Sequence, residues 1–227
     1  FTVYGTIHAR QMTTRSYDIN VEKQVDGIDS LNVVLVADLH LGYSIGCDDM
    51  RKMAERINAL NPDVVIYAGD IFDNDYDALD DEAELKEILH SINAKYGSYA
   101  VFGNHDVTET LVGGFSTASS RKAFRDSRME SFLDEAGINI MLDEVTTIAD
   151  GKINLIGRLD GEKAGDGTRN RKDLSELIAQ CDMSKPVIVI NHEPDKLHEA
   201  ADMGVDVMLS GHTHAGQFFP LTIVQPF

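Results

Sequence analysis

Six short apolar runs punctuate the chain: LNVVLVADLH (31–40), PDVVIYAGD (62–70), GSYAVFGNHD (97–106), INLIGRLD (153–160), KPVIVINHEPD (185–195) and VDVMLSGHTH (205–214). Each is β-branched and largely continuous rather than alternating, which is the composition of a strand buried on both faces. Each also runs into polar residues at its carboxyl end. Between the runs the apolar spacing becomes helical. Met50, Met53, Ile57 and Leu60 share one face of 48–60; Leu85, Ile88, Leu89 and Ile92 do so over 82–92; Leu174, Leu177, Ile178 and Cys181 do so over 171–181. A further helix is predicted over 120–137, with Gly137 as its stop. Strands alternating with helices predict an α/β layered fold. Near the amino terminus, Tyr17, Ile19 and Val21 alternate as an edge strand would, and 218–227 resembles another strand limited by Pro220 and Pro226.

In open α/β sheets the working crevice lies beyond the carboxyl ends of the strands. There this chain puts Asp38, His40, Asp70, Asn104, His105, His192, His212 and His214. Five of its eight histidines stand at such ends; His8, His90 and His198 are scattered. Side chains two apart on extended chain point to one face, so His212 and His214 reach one small volume, while Gly211 and Gly216 let the backbone approach closely. An isolated HxH is more often a polar turn after a buried strand. The delivery of the same ligand chemistry by separate strands turns the reading toward metal.

A length of 227 residues with 5 prolines, and with neither an internal repeat nor a low-complexity linker, predicts one domain over 1–227. The net charge of -18, from 38 acidic and 20 basic residues, repels nucleic acid and anionic lipid surfaces. Divalent metal in a cleft lined by aspartates would reverse that sign locally. Cys47 and Cys181 are too few for a disulfide framework. No apolar segment reaches the roughly 18 to 20 residues that span a bilayer, and no signal peptide opens the chain.

Asp38-Leu39-His40, Gly69-Asp70, Gly103-Asn104-His105-Asp106, His192 and Gly211-His212-Thr213-His214 stand in the order of the five-part motif of the calcineurin-like metallophosphoesterases, which the chain resembles over 38–214. NHEPD (191–195) and GHTHAGQ (211–217) are similar to the bacterial branch of membrane-associated phosphoesterases and UDP-2,3-diacylglucosamine pyrophosphatase-like enzymes. The resemblance implies a β-sandwich of two mixed sheets flanked by helices, a four-layer α/β/β/α fold. It implies that Asp38, His40, Asp70 and His214 hold one divalent metal, and that Asp70, as a shared carboxylate, holds a second with Asn104, His192 and His212. Such oxygen and imidazole donors suit Mn, Fe or Zn. The implied reaction is in-line attack on phosphorus by a hydroxide bridging the two metals. His105 would protonate the leaving oxygen or stabilise transition-state charge. The resemblance offers Asp73 as the carboxylate that orients His105, with an ordinary loop aspartate as the equal alternative. Purple acid phosphatases place a tyrosine ligand where Asp73 stands, so a tyrosinate-bound iron is not expected.

Specificity is expected from segments outside the metal shell. The stretch 108–131, with Arg121, Lys122, Arg125 and Arg128, reads as a cap or, more often for such sequences, as a solvated face. The glycine-rich 161–173, with Lys163, Arg169 and Arg171, reads as an oxyanion-contacting loop or a plain one. The acidic balance and the branch resemblance together imply a phosphodiester or pyrophosphate bond of a small or lipid-linked molecule. The alternatives are a DNA or RNA phosphodiesterase, disfavoured by charge, and a non-catalytic metal-binding scaffold, disfavoured by the complete ligand set. The chain opens on Phe1, and in membrane-associated relatives a hydrophobic region precedes the domain, so an anchor upstream of Phe1 is an expectation. Localisation is left between membrane-associated and cytoplasmic in a bacterium.

Overall fold

The computed structural model describes residues 12–109, 111–112, 115–116, 125–161 and 170–214. In chain order the elements are β1 (Val33–Val36), α1 (Cys47–Ala59), β2 (Val64–Ala68), α2 (Glu82–His90), β3 (Ser98–Val101), β4 (Leu111–Val112), β5 (Phe115–Ser116), α3 (Ser127–Glu135), β6 (Ile138–Ile140), β7 (Glu144–Ile148), β8 (Ile153–Gly157), α4 (Leu174–Ile178), β9 (Val187–Ile190), α5 (Leu197–Asp202) and β10 (Val207–Leu209). The first sheet has the order β1-β2-β3-β6 and is parallel throughout. The second has the order β10-β9-β8-β7 and is mixed, because β7 runs antiparallel to β8. β4 and β5 form a separate hairpin.

The continuous apolar runs have a physical reason. Along β2, Val64, Ile66 and Ala68 pack with Leu155, Ile188 and Ile190 of the second sheet, while Val65 and Tyr67 pack with Met50, Leu85 and Phe132 of α1, α2 and α3. The second sheet repeats the arrangement: Ile153 and Leu155 face inward, and Ile156, Val187 and Val189 pack outward on Leu174, Leu177 and Ala200 of α4 and α5. A strand sandwiched between a sheet and a helix layer has no solvated face, so both of its side-chain sets are apolar. Three apolar clusters between four layers give the α/β/β/α order expected from the sequence.

The strands are shorter than the apolar runs that predict them. β1 stops at Val36 and β2 at Ala68, because the residues beyond turn into the left-handed region at Asp38, His40 and Asp70. The helix predicted over 120–137 begins at Ser127, since the Asp126 side chain accepts the Arg128 N–H and caps it; 120–124 lie outside the described residues. Gly137, at φ 75°, follows its end as predicted. The edge strand expected at 17–21 does not form: Tyr17 and Ile19 are 76% and 62% exposed, and alternation without a neighbouring strand makes no ladder. The strand expected at 218–227 lies outside the described residues.

Candidate metal centre

The loops that leave β1, β2, β3, β9 and β10 meet at one end of the sandwich. They are tied by hydrogen bonds that outrun the sheets: Asp38 N–H to the Gly69 carbonyl at 3.0 Å, His40 N–H to that of Asp70 at 3.0 Å, and Gly211 N–H to that of His192 at 3.0 Å. Asp38, His40, Asp70, His212 and His214 all have positive φ, between 47° and 72°. Asp and His are among the residues that tolerate this conformation, and its concentration here marks backbone held in place for a site rather than for packing.

Two donor sets result. In the first, Nε2 of His40 and Nε2 of His214 lie 3.4 Å apart, with Oδ1 of Asp38 at 3.6 Å from His214 Nε2 and Oδ2 of Asp70 at 3.9 Å from His40 Nε2. In the second, Oδ1 of Asn104 lies 3.1 Å from both His192 Nε2 and His212 Nδ1, those nitrogens are 3.3 Å apart, and Asp70 Oδ2 is 3.1 Å from His192 Nε2. Oδ1 of Asp70 accepts the His105 backbone N–H at 2.8 Å, so the oxygen that faces both sets is Oδ2. Each of the seven residues expected as ligands falls in one of the sets or, for Asp70, in both.

The donor chemistry fits divalent cations. His192 Nδ1–H donates to the Ala68 carbonyl at 2.8 Å, which leaves the Nε2 lone pair directed at Asn104, His212 and Asp70. Lone pairs on Asn104, His192 and His212 this close repel one another unless a cation or a proton stands between them. Burial disfavours a charge on His192, but Asp70 outweighs it and lifts the ring to about 9. Burial likewise raises Asp70, and His192 outweighs that to hold it below the usual carboxylate range. Without metal, a proton takes the position a cation suits.

His192 and Asp70 are buried, whereas the side chains of His105 and Asp73 are 34% and 49% exposed, so the crevice opens on the latter side. Asp73 Oδ1 stands 3.6 Å from His105 Nδ1 and 3.5 Å from His40 Nδ1, beyond good hydrogen-bond length to either. The hydrogen bond to His105 Nδ1 comes from Nδ2 of Asn74, a residue the sequence reading passed over. Its only signal is an asparagine, tolerant of left-handed backbone, just after GDIFD.

Asp106, fully buried, accepts the Phe72 N–H and the Gly103 N–H at 2.7 Å each and so staples the loops after β2 and β3; burial pushes its carboxyl up to about 8. Of the basic residues considered for substrate, Arg128 pairs with Asp126 and Asp77, Arg125 with Glu130, and Arg171 with Asn191 and Asp195. Arg121, Lys122, Lys163 and Arg169 lie outside the described residues.

Residues 31–216 match the model of the calcineurin-like phosphoesterase family. The chain belongs to that family. It is 32% identical, over 98% of its length and 49% of the relative's, to a transmembrane protein with metallophosphoesterase domain from Danio rerio. It is 26% identical, over 87% of its length and 68% of the relative's, to the UDP-2,3-diacylglucosamine pyrophosphatase LpxG of Chlamydia trachomatis. It is 29% identical, over 88% of its length and 65% of the relative's, to the metallophosphoesterase YkuE of Bacillus subtilis. The chain thus spans about half the length of the transmembrane relative. Among solved structures it is similar to a phosphopantetheinyl hydrolase from Mycobacterium tuberculosis, with a TM-score of 0.43, 16% identity, and 82% and 84% of the two chains covered. Among the described residues, no helix is long and apolar enough to cross a membrane.

Proposed function

We propose that the chain is a phosphoesterase dependent on two divalent metals, which cleaves a phosphodiester or pyrophosphate bond in a small or lipid-linked molecule. One observation carries this reading: a single carboxylate oxygen, Asp70 Oδ2, lies near a donor of each set, 3.9 Å from His40 Nε2 and 3.1 Å from His192 Nε2. Asp38, His40, Asp70 and His214 would hold one cation, and Asp70, Asn104, His192 and His212 the other. When bound, such a pair acidifies water to supply a nucleophile near neutral pH and polarises the phosphoryl oxygens. The protein fixes what surrounds it. The Ala68 carbonyl holds the His192 tautomer, the His212 N–H holds Asp38 at 2.9 Å, and His105, on the open side, would present its ring to the leaving oxygen. Complete donor sets and a retained His105 speak against a non-catalytic scaffold. The similarity to LpxG supports the lipid-linked pyrophosphate within this range, and the charge of -18 speaks against nucleic acid.

The test is hydrolysis by protein loaded in turn with Mn, Zn or Fe. Turnover of bis-p-nitrophenyl phosphate or of a UDP-linked diphosphate in preference to p-nitrophenyl phosphate is expected, together with a loss of about 10²- to 10⁴-fold in His105→Ala. No turnover with any of these metals, or activity confined to DNA or RNA at low salt, overturns the reading.

A further inference from the structure

We infer that Tyr43 is a specificity-determining residue, and that from the rim of the crevice its ring takes an uncharged planar group carried on the leaving side of the phosphoester. The inference rests on the proposed function and names the chemistry of the substrate at that site.

Tyr43 stands in the turn between β1 and α1, and the turn is bolted at both ends. Leu41, fully buried, donates its N–H to the Ile71 carbonyl at 2.8 Å and accepts the Asp73 N–H at 3.2 Å. The Gly42 N–H closes the turn on the Ile45 carbonyl at 3.2 Å. At the far end the Cys47 N–H donates to Asp80 Oδ2 at 3.2 Å, where α1 begins. Within this frame Ile45 packs on the core, whereas the tyrosine is 89% exposed. A ring so exposed buries almost no apolar surface, so folding does not account for it.

The turn lies against the open side of the site. A Cβ on Gly42 would come 3.6 Å from Asp73 Cβ, and Asp73 Oδ1 is itself 3.5 Å from His40 Nδ1 and 3.6 Å from His105 Nδ1. Tyr43 follows that glycine directly, one Cα step of about 3.8 Å away. Its side chain therefore starts from the wall on which His105 would meet the leaving oxygen. At the other end of the turn Gly46 lies against Asp80, an exposed carboxylate as Asp73 is. Between two carboxylates a further anionic group is repelled and an uncharged one is not. A tyrosine ring offers a flat face that stacks on another planar group, and its two side-chain torsions cost little to fix. These properties match an aryl group or a nucleobase better than an alkyl chain or a second phosphate.

Phenylphosphonate and methylphosphonate probe this without turnover, since neither has an ester bond to cleave. In manganese-loaded protein the phenyl compound is expected to bind about three- to tenfold more tightly than the methyl one. That ratio is expected to persist in Tyr43→Phe and to fall to within about twofold of unity in Tyr43→Ser. Both are surface changes that leave the unfolding midpoint in place. A wild-type ratio near unity, or one that survives in Tyr43→Ser, overturns the inference. Displacement of phenylphosphonate by uridine 5′-monophosphate and by ribose 5-phosphate identifies the source of the ring. A preference for the nucleotide that Tyr43→Ser abolishes points to a nucleobase, and equal displacement points to an aryl ester. Hydrolysis of bis-p-nitrophenyl phosphate is read separately. Turnover without a Tyr43-dependent ratio overturns the inference alone, and no turnover with the ratio intact overturns the proposed function alone.

Discussion

Nε2 of His192 stands 3.1 Å from Oδ2 of Asp70, and each shifts the other's proton equilibrium in the opposite direction. The pair is therefore a proton-holding unit in metal-free protein. His192, raised from 6.5 to about 9, contributes stability that is fully present below pH 6.5 and lost as pH rises through about 9. Asp70, lowered from 3.8, contributes stability that is present above that pH and lost as pH falls below it. Metal-free protein is thus expected to be most stable between about pH 4 and 6.5, as far as this pair decides. The His192 contribution is on the order of 3 kcal/mol. Thermal unfolding against pH checks it: Asp70→Asn is expected to flatten the decline between pH 6.5 and 9.

The same pair predicts how metal enters. A cation on His192 Nε2 must displace the proton held there, so uptake at pH 8 is expected to release about one proton more than free imidazole ligands would. Calorimetric titration in two buffers of different ionisation enthalpy measures that release. Its absence would mean that the metal does not reach His192.

Gly103 is fixed by what surrounds it. A Cβ there would strike Asp70 Oδ1, lie 2.7 Å from the Asp70 backbone nitrogen, and lie 2.7 Å from the His192 ring. Gly103→Ala is expected to cost about 1–3 kcal/mol by overpacking and to weaken metal binding in both sets, because it pushes the carboxylate they share. Denaturant unfolding and metal titration of the one variant measure the two effects.

How legible was all this in the sequence? The six runs announced the sheets because strands buried on both faces leave no polar side, and the residues beyond five of them announced the candidate site because the loops leave the sheets there. What stayed hidden was set by tertiary context. β6, three residues long, and β7, EVTTI, lack a continuous apolar run and owe their existence to Ser98–Ala100 and to β8. Tyr17 and Ile19 alternate correctly and make no strand, because pairing needs a neighbour that no local pattern supplies. The candidate ligands could be picked out by residue type and order. Which of the adjacent residues Asp73 and Asn74 lies nearer His105 Nδ1 could not, since the spacing along the chain is the same for both within one residue.

Tyr67 offers a stability test away from the chemistry. Its ring is packed among α1, α2 and α3, its hydroxyl is buried without a hydrogen-bond partner among the described residues, and burial raises its ionisation well above the usual phenol range. A hydroxyl desolvated with no return costs about 1–3 kcal/mol. Tyr67→Phe is therefore expected to raise the unfolding midpoint, with activity unchanged. A fall in stability would show that the hydroxyl has a partner in solution, such as a trapped water.

Arg171 separates two roles that the sequence allowed. Its position after a glycine-rich stretch suggested an oxyanion contact, yet Nη2 donates to Asn191 Oδ1 and Nη1 lies 3.3 Å from Asp195 Oδ2. Asn191 directly precedes His192, and its Nδ2 also donates to Asp195 Oδ1 at 2.6 Å. The guanidinium thus braces the turn that carries a candidate ligand, and its side chain is largely buried in doing so. Arg171→Ala leaves Asn191 and Asp195 without that partner, at a cost of about 1–3 kcal/mol. It is expected to weaken the second donor set, through His192, more than the first. On this account KM for a small diester stays within about twofold, and the loss appears as metal dependence that excess metal repairs. A KM raised tenfold at full metal occupancy, with the unfolding midpoint unmoved, would instead put the guanidinium on the substrate.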